Sequence, residues 1–406
     1  MGSEKFPSQA GHTCTKVKWC SRRSWLCCLG GAYFNNTETC VERYRGDYKI
    51  ISLRTQEFFK IMAFAQITGR VSLSSTVLCL NALPSQRYHS GIRSELTKSN
   101  LAHANNKRNW KIFYDFAQIL IKEATKLYCD DSIKLDIDDG VYALDSTTID
   151  LCLSLFPWAH FRKTKSAIKM HTMINLKGRI PDFILISTGK MHDVNAMDDI
   201  TWEPGSWYVM DRGYLDFKRL YHIHQCQSWF VTRSKKNTKF KRLYSKKVDK
   251  SKGILCDQKV RLTGANATTD YPELIRRIKF IDGETGKRLV FLTNNMQADA
   301  VTIAQVYKNR WHVELFFKWI KQHLCLKRFF GRSDNAVRSQ IWIAMCVYLL
   351  ILILKKRLKL DYSAYEILQI LSVTIFIKTP LLTLFSLDFT LFNNYYNPKQ
   401  LLLFDL

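Results

Sequence analysis

The chain has 406 residues, 47% of them hydrophobic, which is enough for about two or three domains with a sizeable core. Lysine and arginine number 61 against 35 acidic residues, and the formal charge of +26 favours a polyanionic partner such as nucleic acid, although a merely basic surface would also explain it. Twelve cysteines in a chain this long do not indicate a disulfide-stapled secreted domain, so we expect reduced thiols in a cytoplasmic protein.

Residues 1–40 show no clear hydrophobic period, and we assign them no element. Five cysteines lie there, but none of them forms a Cys-x2-Cys pair, so their spacing argues against a zinc site. Lysines and arginines interrupt the apolar residues of this segment, which does not fit a signal peptide.

Residues 41–135 are predicted to form a helical domain, because residues 54–67 and 110–128 repeat apolar residues at three- and four-residue steps. Between them, residues 96–110 predict a short helix that starts at a Ser or Asn cap. The pattern fits a helix-turn-helix-like DNA-binding unit, and it also fits an ordinary solvated helical face. Five of its side chains suit phosphates and base edges: Lys98, Asn100, Asn105, Lys107 and Arg108.

From residue 140 the hydrophobic period becomes that of β-strands, and we take residues 136–233 as the first part of a catalytic core. GVYALDSTTIDL predicts a strand that ends near Asp145, and residues 169–187 predict a hairpin that turns at Lys177 and Gly178. A short helix is expected from His192 to Ile200.

SWYVMDRGY predicts a buried strand that stops at Asp211, followed by a helix from Leu215 to Gln225 and a further strand at residues 228–233. Residues 234–300 are lysine-dense, carry short strand signals and contain the turn-like DGETG, so we interpret them as a β-rich insertion. Its lysine cluster, residues 235–252, is predicted to follow DNA with sequence-independent affinity.

The segment YKNRWHVELFFKWIKQ, residues 307–322, is predicted to lie within one helix from Ala298 to His323. At 100° per residue, four polar residues form one stripe in which each lies within about 40° of Glu314, with Lys318 at its edge. These four are Tyr307, Arg310, Glu314 and Lys321. An i,i+4 ion pair on a solvated face would explain Arg310 and Glu314, but apolar residues on both flanks favour a packed helix whose polar stripe opens into a site.

Residues 331–406 are predicted to be helical. The most apolar run, at 341–354, has fourteen residues and is shorter than the roughly 20 needed to span a bilayer. We therefore expect a buried helix and no membrane association.

Three carboxylates follow a recognisable order along the chain. Asp145 and Asp211 stand at predicted strand ends. Glu314 lies on the core helix predicted within residues 301–330, which follows the insertion. This order of strand, hairpin, strand, strand and helix is that of an RNase H-like core, in which three carboxylates hold a metal pair. Mg²⁺ prefers such oxygen ligands, and two ions can activate an attacking oxygen and stabilise a leaving one at phosphorus.

At this point the sequence resembles a known family. YKNRWHVELFFKWIK matches the signature Y-x2-R-x3-E-x6-K of bacterial insertion-sequence DDE transposases, in particular the insertion-sequence-four family, and ALDSTTIDLC and VMDRGY resemble its two aspartate segments. The resemblance extends from about Arg43 to Leu384. It implies an α/β fold: an RNase H-like mixed-sheet core with a β-rich insertion, a helical N-terminal domain before it and a helical tail after it.

The resemblance also implies roles for individual residues. Asp145, Asp211 and Glu314 would be the catalytic ligands of Mg²⁺, with Mn²⁺ able to substitute, and Tyr307, Arg310 and Lys321 would contact phosphates at the element's ends. We add Arg212 and Lys318, which neighbour this constellation, to the expected DNA contacts.

We therefore expect a homodimeric transposase that binds double-stranded DNA at the terminal inverted repeats, cleaves it and joins the 3′-hydroxyl ends to target DNA. An RNase H-like nuclease for branched or repair DNA shares the three carboxylates. A catalytically silent transposase derivative that only binds DNA is the other alternative, although an intact set of carboxylates argues against it.

Overall fold

The first part of the chain is helical, as its apolar period predicts. The computed structural model describes residues 34–131, 137, 139–162, 165–264, 266–326, 328–377 and 384–385. Its first six helices are α1 (Phe34–Arg43), α2 (Thr55–Ile67), α3 (Leu73–Asn81), α4 (Pro84–His89), α5 (Lys98–Lys107) and α6 (Lys111–Tyr128). Helix α1 includes residues 34–40, for which no element was expected, whereas residues 1–33 with four of the N-terminal cysteines lie outside the described residues.

Thr97 caps helix α5, because its side-chain oxygen accepts a hydrogen bond from the backbone N–H of Asn100 at 3.1 Å. The predicted Ser or Asn cap is therefore wrong by a few residues. The next residue after this helix also differs from expectation. Arg108 is only 3% exposed, and its guanidinium donates to the carbonyl oxygen of Leu53 at 2.6 Å. The prediction that Arg108 contacts DNA is therefore wrong, because the side chain holds two loops of the helical layer together.

Ten strands form one mixed sheet with the order β2-β3-β1-β5-β6-β10-β9-β8-β7, and β4 pairs with β3. The strands are β1 (Val141–Leu151), β2 (His160–Arg162), β3 (Lys165–Asn175), β4 (Ile180–Thr188), β5 (Trp207–Met210), β6 (Trp229–Arg233), β7 (Phe240–Lys246), β8 (Ile254–Leu262), β9 (Ile275–Ile281) and β10 (Arg288–Thr293). The predicted α/β class is thus confirmed. Strands β1, β5 and β6 run parallel, and β3 and β4 form the predicted hairpin beside β1.

Strand β1 is longer than predicted. It does not end near Asp145 but continues to Leu151, because β3 pairs with it along almost its whole length, from Tyr142 to Leu151. On its other side, β5 pairs only with residues 141–144. Asp145 is therefore the first residue of β1 without a parallel neighbour.

The predicted β-rich segment at 234–300 does contain strands, and they continue the central sheet. Strand β10 pairs antiparallel with β6, and β9, β8 and β7 add outward in turn. A turn at residues 282–287 joins β9 to β10, where DGETG predicts it. Helix α7 (Phe217–Gln225), capped by Asp216, precedes this region, and the short helix α8 (Ala267–Asp270) lies within it between β8 and β9.

The helix expected from Ala298 to His323 is two helices, α9 (Ala300–Lys308) and α10 (Trp311–His323). The break lies at Asn309 and Arg310. The side-chain amide of Asn309 donates to the carbonyl oxygen of Gln305 at 2.9 Å, and such local bonds compete with continued helix.

The C-terminal region is helical where it is described, in α11 (Asp334–Arg357) and α12 (Ala364–Thr374). Helix α11 packs against α2, α5 and α6, so it forms the centre of the helical layer. By length and composition it could cross a membrane, but 94% of its most apolar window is buried inside the fold. Its side chains also reach the sheet, since Tyr348 donates to the carbonyl oxygen of Arg179 at 3.2 Å.

The packing of α11 predicts a large loss of stability when one of its buried leucines is shortened. Leu349→Ala, at a fully buried position, should lower the free energy of unfolding by about 2–5 kcal/mol through the cavity it leaves. The same substitution at Leu78, which is 71% exposed on α3, should change it by less than about 0.5 kcal/mol. Urea unfolding of both variants measures the difference, and equal effects would contradict this packing.

Candidate active site

Two aspartates stand side by side at one edge of the parallel part of the sheet. Leu144 of β1 pairs with Met210 of β5 in the last step of their parallel register, and Asp145 and Asp211 are the next residues of the two strands. Because parallel strands carry their carboxyl ends to the same edge, both carboxylates lie there. Their proximity is reflected in the pKa of Asp145, which the charge of Asp211 helps to raise.

The third carboxylate approaches the same edge from the α9–α10 break. Arg310, at the break, donates from Nη1 to Asp145 Oδ2 at 2.7 Å and from Nη2 to Glu314 Oε1 at 2.5 Å. One guanidinium therefore joins the strand aspartate to the helix glutamate. Despite the break in the helix, Tyr307, Arg310 and Glu314 of the predicted polar stripe thus lie at this edge of the sheet.

Tyr307 connects the stripe to the second aspartate. Its ring is 7% exposed and packs on Phe291 with ring centroids 4.8 Å apart, and its hydroxyl donates to Asp211 Oδ1 at 3.4 Å. Burial raises the pKa of Tyr307 to about 12, so it remains a neutral donor. Arg233, at the end of β6, contributes a charge 3.5 Å from the same carboxylate oxygen.

Burial makes Asp145 an unusual carboxylate. Its side chain is 19% exposed, and burial raises its pKa to about 6. The backbone N–H of Ser146 and the charge of Arg310 lower this pKa, and smaller repulsions from Glu314 and Asp211 raise it, so burial decides the direction. The pKa of Arg310 is raised in turn, since Tyr307, Glu314 and Asp145 favour its charged form against the opposing effect of burial. The cluster is therefore an anionic site that a nearby cation stabilises.

The donor set suits a hard divalent cation, with one obstacle. Three carboxylates converge, and burial disfavours the anion of Asp145, so a further cation beside it would stabilise the charged form. Among the described residues, however, no three His, Cys, Asp or Glu side chains lie close enough to cage a metal ion. Arg310 lies between the carboxylates of Asp145 and Glu314, so an ion held by both would require this guanidinium to move away.

The other predicted DNA contacts are distributed more widely. Lys321 donates to the carbonyl oxygen of Thr148 at 2.8 Å and thereby holds α10 against β1. Lys318 is exposed on α10, and Arg212 is exposed in the turn that follows Asp211. Lys98 and Lys107 are exposed and Asn100 is half-buried on α5, a helix that packs against α2, α3 and α11.

Sequence reasoning underrated a polar network on the other face of β1. Asp193 accepts a hydrogen bond from Ser146 Oγ at 2.5 Å and lies 3.3 Å from Lys169 Nζ and 3.6 Å from His171 Nδ1. Burial lowers the pKa of His171 to about 4, so its ring is neutral. The signal was available in the period-two spacing of Lys169 and His171, which pair across the sheet with Thr148 and Ser146.

Comparison with protein families gives two matches. Residues 136–350, more than half of the chain, match the family described as a transposase DDE domain. Residues 34–93 match a family described only as a domain of unknown function.

Three named relatives are similar in sequence. A Sinorhizobium fredii protein named as the transposase y4zB is 34% identical over 214 residues, which cover 51% of this chain and 59% of that protein. A Geobacillus stearothermophilus protein named as the transposase of insertion sequence element IS5377 is 28% identical, covering 51% and 55%. A Synechocystis protein named as the transposase of insertion sequence element IS4SA is 28% identical, covering 63% and 71%. The match thus spans less than two-thirds of the length of the first two relatives.

One solved structure, the piggyBac transposase synaptic complex with hairpin DNA, is 8% identical with a TM-score of 0.44, covering 89% of this chain and 78% of that one.

The pKa of Asp145 predicts a pH-dependent cost of its charge. Because the folded pKa is raised from 3.8 to about 6, the folded state binds more protons than the unfolded state between these values, and stability falls as pH rises through them. Asp145→Asn removes this dependence. Its free energy of unfolding relative to wild type should therefore grow between pH 4 and pH 7, by on the order of 3 kcal/mol.

The measurement is urea unfolding in EDTA at both pH values. Asp150→Asn, an exposed carboxylate of the same strand, controls for the loss of a carboxylate as such. If the difference in unfolding free energy between Asp145→Asn and wild type did not change with pH, burial would not raise the pKa of Asp145.

Proposed function

The chain belongs to the DDE transposase family, and on that premise we propose that it is an insertion-sequence transposase acting on DNA inside the cell. It would bind the terminal inverted repeats of its element as a homodimer, cleave there and join the 3′ ends to target DNA. The single observation that supports this best is the convergence of Asp145, Asp211 and Glu314 on one edge of the sheet, around Arg310.

The proposed reaction needs no covalent bond to protein. Water attacks phosphorus, the bond from phosphorus to the 3′ oxygen breaks, and the 3′ oxygen leaves as a hydroxyl while the phosphate stays on the 5′ end of the other product. The freed 3′-hydroxyl then attacks a phosphodiester of the target in the same way. Mg²⁺, or Mn²⁺ in its place, supplies the positive charge that activates the attacking oxygen and stabilises the leaving one.

The residues of this chain supply position and charge. Asp145, Asp211 and Glu314 would hold the ions, and the Tyr307 hydroxyl would orient Asp211 from its buried ring. Members of the family generally use divalent ions, and carboxylate oxygens are the ligands such ions prefer. Arg310 would then exchange carboxylates for a DNA phosphate, which its planar guanidinium can bind through two hydrogen bonds.

We assign the strands β4, β3, β1, β5 and β6 to an RNase H-like core. Their order and directions support this, because Asp145 and Asp211 stand side by side just beyond the point where the parallel pairing of β1 and β5 ends. The strands β7 to β10 would be the family's β-rich insertion, here continuous with the core sheet. The formal charge of +26 supports DNA as the partner, and Lys98, Asn100 and Lys107 on α5 remain candidate contacts to it.

Removal of any one carboxylate should abolish cleavage and leave DNA binding intact, since the phosphodiester is bound mainly by cations. Asp145→Ala, Asp211→Ala and Glu314→Ala should each lower Mg²⁺-dependent cleavage of inverted-repeat DNA by at least about 10³-fold, in line with the loss of a group that acts only in the transition state. Gel-based cleavage and fluorescence anisotropy measure the two properties.

The matched control is Asp150→Ala, at an exposed position of the strand that carries Asp145. Retained cleavage in all three carboxylate variants would refute the assignment. Equal cleavage of DNA with and without the inverted repeats would instead identify a nuclease of branched or repair DNA.

Arg310→Gln should separate two properties that Arg310 links. Without the guanidinium between Asp145 and Glu314, Mn²⁺ should bind more tightly, by about tenfold, whereas the affinity for DNA ends should fall. Electron paramagnetic resonance reports Mn²⁺ binding without any need for catalysis.

The control is Lys318→Gln, which removes one charge from an exposed position of α10, the helix that follows Arg310. If both substitutions change Mn²⁺ affinity equally, only net charge is involved and Arg310 does not occupy the ion's position.

A further inference from the structure

A concave site lies beside Arg212 and Arg233, which are neighbours of Asp211 in the sequence and in space respectively. It has a volume of about 500 Å³ and is formed where β6 ends, β7 begins and β9 and β10 pass beneath. Six of its lining residues are cationic, and we call it the basic cavity: Arg212, Arg233, Lys235, Lys236, Arg277 and Arg288. Among the residues that the structure describes, no aspartate or glutamate lines it.

Little within the protein offsets this charge. In the part of the chain that the structure describes, Arg233 is the one cavity cation whose side chain forms an ion pair, with Asp211 at 3.5 Å. Lys235 donates to the carbonyl oxygen of Leu215 at 3.3 Å, a contact that positions its charge without neutralising it. Cations gathered around one cavity repel one another, so the arrangement favours an anionic ligand.

Contacts within the protein fix the guanidinium of Arg277, one of these cations. The guanidinium of Arg277 lies over the ring of Phe240, 4.7 Å from its centroid, and donates from Nη1 to Gln258 Oε1 at 2.7 Å. Its buried Nε has no hydrogen-bond partner among the described residues. A guanidinium fixed in this way loses little conformational freedom when it binds a phosphate oxygen.

The size of the cavity limits its occupant. A space of this volume is roughly 10 Å across, and it matches pockets that hold ligands the size of one nucleotide. The cavity therefore suits a strand end or a single nucleotide unit, whereas a duplex can only pass over it.

We propose that the basic cavity binds the 5′-phosphate-bearing end of the DNA strand that is released when the 3′-hydroxyl forms. This inference rests on the proposed function, in which the phosphate remains on the 5′ end of that product. Its position fits, because Arg212 follows Asp211 directly and Arg233 contacts it. A terminal phosphate carries a charge of about −1.5 to −2 at pH 7, more than the single charge of an internal phosphodiester, and so gains more from six cations.

The test uses the full chain in EDTA, so that no cleavage occurs, and two probes: tetrathymidylate labelled at its 3′ end, with either a 5′-phosphate or a 5′-hydroxyl. Fluorescence anisotropy should show about tenfold tighter binding of the phosphorylated probe, the scale of one charge-assisted interaction. Lys236→Gln/Arg288→Gln, two exposed positions in the lining, should reduce this preference to less than about twofold.

The matched control is Lys246→Gln/Lys247→Gln, which removes two exposed charges at the far end of β7, outside the lining. It should weaken both probes alike and preserve their ratio. Arg277→Lys, which keeps the charge but loses the planar fork, should lower the preference partly.

Equal affinity of wild type for the two probes would overturn the inference, as would an equal loss of preference in both double variants. Competition by thymidine 5′-monophosphate as effective as that by the phosphorylated oligonucleotide would also overturn it, in favour of a free-nucleotide site. None of these results depends on cleavage, so they are separate from the test of the proposed function, which fails if inverted-repeat DNA is not cut.

Discussion

The short parallel pairing between β1 and β5 is the constraint on which the site depends. The two strands share four residue pairs, and the pairing ends at Leu144 and Met210. Because the pairing stops there, the side chains of Asp145 and Asp211, which follow directly, reach the same edge of the sheet. The paired residues before them fix the position of their backbone. Strand β3 continues to support β1 beyond this point, so Asp145 stays fixed although its parallel partner has ended.

At this edge, burial disfavours the charged form of a carboxylate, and a nearby cation favours it. Burial and neighbouring carboxylates raise the pKa of Asp145, and Arg310 offsets part of that effect through direct contact. The same buried environment keeps Tyr307 neutral, so it donates a hydrogen bond to Asp211 without adding charge. The site is thus arranged for cations, with one of them supplied by the protein itself.

The sequence predicted what local pattern controls. Strand and helix periods located Asp211 at a strand end and Glu314 on the stripe with Arg310, and the order of elements along the chain indicated that they converge. Features that depend on residues far away in the chain could not be predicted from these local patterns. The length of β1 is decided by β3, and the burial of Arg108 is decided by the loop at Leu53, which no window around Arg108 contains.

The central position of α11 has a consequence for how the protein is made. Helices α2, α5 and α6 bury their apolar faces against a helix that begins at Asp334, so more than three-quarters of the chain is synthesised before that surface can be covered. Native contacts of such long sequence separation form late. A ribosome that stops before this helix would release a product in which the apolar faces that α11 covers are exposed to water, so the N-terminal helices gain their full stability only when translation has passed this helix.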